Sequence, residues 1–493
     1  MNATPLDRLV TSSLLLAACL FAPLAGATQG EALPAETIQE LTLLVEQQRC
    51  DELLLRSSEL RHQYPDDVDL LTLEGNCRLR GARSVQRDFD SSRYRLLRIA
   101  SGKDKLPPTV GQRLFRVDYR YSDEAARDQA LDLFNRALKL APTRRDIVVG
   151  AVAAHLDTGQ LDRALRILED HAPSLETSAH QDLGQLVQDQ LRMGQIERAR
   201  RVADALVRIL SRSAQSHAAQ ALVLEQQGQA LEAMKAYARA VERGNRHPQV
   251  RRQLALLQLV AGRLDEATAT LVPLAPSSGE LELWLALARS VAGNASALPI
   301  WEKVAARLAR QEKPDPRATE LIEHYQRLLG SAARPDAPMR LRGARHFIGR
   351  RLEMPALVEA MAAIRQDPTL IEGWLMLTRF HRGALRFDMA LETLDGALAA
   401  AEKLGPDSPY APAEIELQKV QALLGLERFQ QASELARSVE KASIDTRFEQ
   451  ALAALGLGRD KRATELLTAV AESAGGHKAE AAALLQELGP PIP

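Results

Sequence analysis

Short apolar segments rich in alanine and leucine, separated by polar turns, fill most of this chain and recur at a fixed interval. Ala130, Ala164, Ala199, Ala233 and Ala267 fall 34, 35, 34 and 34 residues apart, and a glycine stands five residues before each of the last four, at Gly159, Gly194, Gly228 and Gly262. A small residue lets a second helix press closely on a first, and a glycine lets the first helix end in a left-handed cap. The windows GQLDRA (159–164), GQIERA (194–199), GQALEA (228–233) and GRLDEA (262–267) supply both. Self-similarity at this period predicts stacked helix-turn-helix pairs, none of which can bury its apolar face without neighbours. The expectation is an all-α chain built as an α-solenoid.

The stretch 129–142, QALDLFNRALKLAP, places Ala130, Phe134, Ala137 and Pro142 in order. Farther on, Trp374 and Leu377 lead to His381 and Ala390, and Trp284 and Leu287 are followed by Ala288 and Val291. These positions resemble the tetratricopeptide repeat (TPR): its small, aromatic, small and helix-ending proline sites, and its Trp-x-x-Leu opening. The resemblance implies TPR-like helix-turn-helix repeats stacked in a right-handed superhelix, with binding at a concave face lined by the first helix of each repeat.

The pattern predicts a signal peptide at 1–27, degenerate N-terminal TPR-like repeats at 28–100 and a non-repeat insert at 101–122. A regular array follows at 123–276, then degenerate repeats at 277–330 and an arginine- and proline-rich interruption at 331–354. C-terminal TPR-like repeats fill 355–488, and 489–493 is a tail.

Carried onto this chain, the second position of the first helix falls at Gln181, Gln215 and Gln249, and the row turns inward at Gln188, Leu222 and Arg252. Amides both donate and accept, so a ladder of them can bond an extended peptide backbone or sugar hydroxyls; the alternative is a row of ordinary solvated first turns. The family variant that grips a terminal carboxylate uses lysine and asparagine where this chain has Val149, Ala153, Gly184, Ala218 and Leu222, so that role is not expected.

A net charge of −1 gives no case for nucleic acid as a partner. The distribution of charge says more. Ten arginines lie between Arg78 and Arg120, and six between Arg334 and Arg351. Both clusters coincide with breaks in the repeat, and Arg340, Arg342, Arg345, Arg350 and Arg351 form a candidate patch for an anionic polysaccharide or lipid surface. The competing explanation is a general preference for arginine, since the chain has 52 Arg and 11 Lys. No zinc-protease, Walker or G-x-S-x-G motif is present, so no catalytic, metal or cofactor residue is assigned and no enzymatic activity is expected.

Arg8, the apolar run 9–24 and Ala25-Gly26-Ala27 have the layout of a cleaved export signal, which implies a periplasmic protein. Leu16-Ala17-Ala18-Cys19 offers an alternative, a lipid anchor on Cys19. In either case Cys50 and Cys77 remain, as a disulfide in an oxidising compartment or as two buried small side chains. These features lead to a non-catalytic scaffold for protein partners in cell-envelope assembly. A polymer-binding component of exopolysaccharide export is the alternative, and an enzyme with its site in the irregular stretches is a third.

Overall fold

The computed structural model describes residues 32–106, 114–310, 315–330, 335–441, 444–473 and 475–488. The expected signal, Cys19 and the tail lie outside them. Apart from one two-stranded ribbon, the described residues form stacked helices in the manner of an α-solenoid, divided into two compact units.

The first unit takes residues up to Asp90 and from Gln112 to Val223. Its helices Ala35–Glu46, Cys50–Gln63 and Val68–Ala82 enclose a small core of Leu41, Leu53, Leu70 and Cys77. The sulfurs of Cys50 and Cys77 are bonded, with Cα atoms 5.1 Å apart. Asp67 caps the third helix by accepting from the Leu70 amide at 2.9 Å. Helices Glu124–Leu140, Arg145–Asp157, Leu161–His171, Ala179–Arg192 and Ile196–Ile209 then stack over a larger core that includes Ala130, Phe134, Ala164 and Ala199. Gly159 and Gly194 hold φ of 77° and 70°, as left-handed caps require.

Two strands interrupt this unit where helical pairs and an insert were expected. β1 (Arg83–Phe89) pairs antiparallel with β2 (Phe115–Tyr121), Arg83 opposite Tyr121 and Phe89 opposite Phe115. RSVQRDF has polar residues on both faces and buries none of its side chains fully, so it lacks the alternation that marks a half-buried strand. β2 is fixed by backbone contact: the Val117 amide donates to the Met193 carbonyl at 2.8 Å. A Cβ on Gly194 would lie 2.5 Å from the Phe115 oxygen, so the glycine that ends one helix also lets the strand pass.

The second unit contains residues from Leu224 onward together with the excursion Ser91–Gly111. Its helices run in pairs from Ala230–Glu242 to Lys478–Leu488. Within the expected interruption at 331–354, residues 337–349 are instead helical. Helix Ala337–Gly349 starts at Asp336, which accepts from the Met339 amide at 2.8 Å, carries Pro338 in its first turn where no amide is needed, and packs on Glu353–Gln366. Helix Ala230–Glu242 has no side-chain cap of its own; Asp388 accepts from the Ala230 and Leu231 amides at 2.9 and 2.7 Å. The Phe387 amide donates to the Gly228 carbonyl at 3.0 Å, so these two turns of the unit are joined.

Candidate functional site

The first helices carry the expected binding row, and the structure divides it between the units. Gln181, Gln188, Gln215 and Leu222 belong to the first unit and Gln249 and Arg252 to the second. In the first unit, two first helices meet at Gly184, where an added Cβ would make ordinary contact with the Gln215 carbonyl oxygen at 3.7 Å. Gln181 is exposed, and Gln188, Gln215 and Leu222 are half-buried. Arg252 is committed elsewhere. It pairs with Glu280 at 2.8 Å, and its guanidinium lies 5.5 Å from the centre of the Trp284 ring.

Beside the ribbon the first unit holds a titratable cluster that the sequence did not signal. The guanidinium of Arg83 stands 4.5 Å over the Tyr119 ring and 3.6 Å from Asp157. Burial pushes the Asp157 carboxyl up to about 7 against the opposing pull of Arg83, and burial also raises Asp189. Gln195 donates to Asp118 at 2.7 Å and to the Val117 carbonyl at 3.1 Å. In sequence, Asp157 is one more acidic residue at a helix end; only the fold of the ribbon distinguishes it.

The candidate anionic-partner patch does not stand free as expected. Arg340 is buried and donates to both carboxylate oxygens of Glu359 at 3.1 Å. Arg345 pairs with Glu372, and Arg350 with Glu320 at 3.1 Å. Arg342 and Arg351 remain exposed. The physical reason is that this stretch is a helix of a packed pair whose cations meet carboxylates on neighbouring helices.

The most developed site lies in the second unit, around helix Ser91–Ser101 of the excursion. This helix packs on Ile371–Gly383 and Pro412–Gly425, the first helices of two C-terminal pairs. Leu96 and Ile99 enter a core with Val420, Leu423, Leu424, Phe448 and Leu452. Arg95 pairs with Glu487 at 2.7 Å, Arg93 with Glu427 at 3.4 Å, and Arg98 with Glu480. At its C-terminal end, buried Arg382 donates to the carbonyls of Ala100 at 2.7 Å and Ile99 at 3.2 Å, and to Gln421 at 2.7 Å. Burial lowers Arg382 to about 10, so it stays cationic at neutral pH. On the same helix, burial holds the preceding residue, His381, at about 3, a neutral ring.

A cavity of about 500 Å³ opens where this helix ends, at Ser101 and Gly102. Leu375, Met376 and Ile415 give it apolar walls, and Arg379, Tyr410 and Glu414 stand among its polar lining. Neither a group of His, Cys, Asp and Glu able to hold a metal ion nor a helix long and apolar enough to cross a membrane is found among the described residues.

No curated protein matches the chain. Among solved structures, it is similar to a thermophilic TPR protein of Thermus thermophilus, at 25% identity over 34% of this chain and 91% of that one, with a TM-score of 0.21. It is also similar to yeast Tom70, at 13% identity over 92% and 95% of the two chains and a TM-score of 0.27. A tetratricopeptide repeat protein of Parabacteroides merdae aligns at 14% identity over 59% and 99%, with a TM-score of 0.23. Residues 123–186 match the family model described as the tetratricopeptide repeat. That match contains Ala130 and Ala164, the first two of the alanines that recur at the 34-residue spacing.

Proposed function

We propose that this chain is a non-catalytic scaffold that holds protein partners on the first helices of its repeats during assembly of a cell-envelope complex. The observation that carries this reading is the second unit's grip on helix Ser91–Ser101. There, first helices hold a peptide segment through apolar contacts and a buried arginine at the carbonyl end, and Glu427, Glu480 and Glu487 add ion pairs. A surface that binds a helix of its own chain has the chemistry to bind one from another. The Cys50–Cys77 bridge supports an exported location, because such bonds persist in oxidising compartments. Export by residues 1–27, with release to the periplasm, is part of the same proposal. Internal pairing of Arg340, Arg345 and Arg350 weighs against the polymer-binding alternative.

The test is crosslinking in intact envelopes followed by purification of the chain. Recovery of one protein species at stoichiometric yield, stable to high salt, is the expected result. Recovery of glycan or lipid alone would refute it.

A further inference from the structure

Helix Ser91–Ser101 differs in kind from the repeat helices around it. The repeat helices from Ile371–Gly383 to Lys478–Leu488 each pack on the helix before or after them in the chain, whereas this one is reached from a ribbon strand through Asp90 and leads on through Gly102 toward the other strand. Its surroundings recognise it as a ligand would be recognised. Leu96 and Ile99, three residues apart on one face, fill an apolar groove. Three arginines meet carboxylates on Phe429–Lys441's leading turn, at Glu427, and on Lys478–Leu488, at Glu480 and Glu487. Arg382, which has no carboxylate within salt-bridge distance among the described residues, closes the carbonyl end.

We propose that Ser91–Ser101 is a resident occupant of a receptor groove, and that the groove's external ligand is a basic amphipathic helix of a protein partner that replaces it. This rests on the scaffold reading above. The partner segment has apolar residues at i and i+3, arginine or lysine at i−3, i−1 and i+2, and chain continuing beyond the capped end. That continuation gives it an advantage over the resident. The resident helix stops at Ser101, where the cavity lined by Leu375, Met376, Ile415 and Arg379 begins. A partner that places an apolar side chain and then a carboxylate there gains contacts with those walls and with Arg379, which makes no ion pair among the described residues. Such gains offset the high effective concentration that tethering gives the resident.

Two measurements on the full chain test this. In native-state hydrogen exchange of the unaltered protein, amides of 91–101 exchange at least about ten-fold faster than those of 412–425, because the occupant opens without its groove. Exchange of both segments at one common rate would overturn the proposal. In the second, a labelled peptide of sequence SSRYRLLRIAS is titrated into the wild type and into Leu96→Asp/Ile99→Asp. The peptide is expected to bind the variant at least about ten-fold tighter, and adding Glu480→Lys/Glu487→Lys abolishes the gain. A folded variant, with helical dichroism and melting retained, that does not bind the peptide would overturn it. If the variant does not fold, the exchange measurement alone decides. An envelope partner whose capture is unaffected by excess peptide refutes the receptor groove while leaving the scaffold reading intact.

Discussion

The Nε of Arg382 donates to the carbonyl oxygen of Ala100 at 2.7 Å, across 282 residues of sequence. The last carbonyls of a helix lack intrahelical donors and carry the negative end of its dipole, so a buried cation is well matched to them. The match explains how a guanidinium is buried with no carboxylate within salt-bridge distance among the described residues.

Replacing Arg382 by Ala removes four donated hydrogen bonds and leaves the carbonyls of Ile99 and Ala100 without this donor. The expected loss is about 2 to 4 kcal/mol, the range for charged hydrogen bonds in a buried setting, partly offset by local relaxation. Urea unfolding of the variant measures it, and Arg382→Lys should recover only part, since one ammonium cannot reproduce the planar fork.

Reduction of Cys50–Cys77 is expected to destabilise the first three helices by roughly 3 to 4 kcal/mol, from the loop closed by a separation of 27 residues. In a solenoid such a loss stays largely local. Thiol titration should find neither cysteine free before reduction, and proteolysis after reduction should cut first within 35–82.

Gly194→Ala should cost about 2 to 4 kcal/mol, through a left-handed φ of 70° and a Cβ 2.5 Å from the Phe115 oxygen. Gly159→Ala has the same backbone penalty with only the end of the flexible Arg198 side chain nearby, at 3.7 Å, and should cost about 1 kcal/mol. Thermal melts of the two variants side by side separate backbone strain from the clash with β2.

The contribution of Asp157 to stability should fall as pH rises from about 4 to about 7, whereas buried His381, held at about 3, gives the opposite slope over most of that window. Asp157 binds its proton more tightly in the folded chain, so at this site the folded protein holds more protons than the unfolded protein throughout that window. The slope for one group is at most about 1.4 kcal/mol per pH unit. Asp189, raised in the same direction by burial, adds to it. Unfolding midpoints measured across the window should fall with pH in the wild type relative to Asp157→Asn, since the histidine contributions cancel in that difference.

The repeating alanines and glycines made the stacked pairs legible, because each has one steric task that few other residues perform. Gly159, Gly194, Gly228 and Gly262 all hold positive φ. What lay beyond reach was any feature joining distant segments. The ribbon was hidden because both faces of RSVQRDF are polar. Arg93, Arg95 and Arg98 read as part of a basic cluster, yet their partners Glu427, Glu487 and Glu480 stand hundreds of residues later. In the same way, Arg340 looked available from its neighbours in sequence, and Glu359 from the next helix buries it. Charge composition shows that cations are present but not which of them are already paired.

Site-specific photo-crosslinking in living cells tests the scaffold account most directly. Probes at Gln181, Gln188 and Gln418 stand on first helices, and probes at Asp170 and Thr468 stand exposed on second helices. The account predicts protein adducts of discrete mass from first-helix probes and none from the second-helix controls. Equal labelling from both sets, or adducts with glycan or lipid alone, would contradict it.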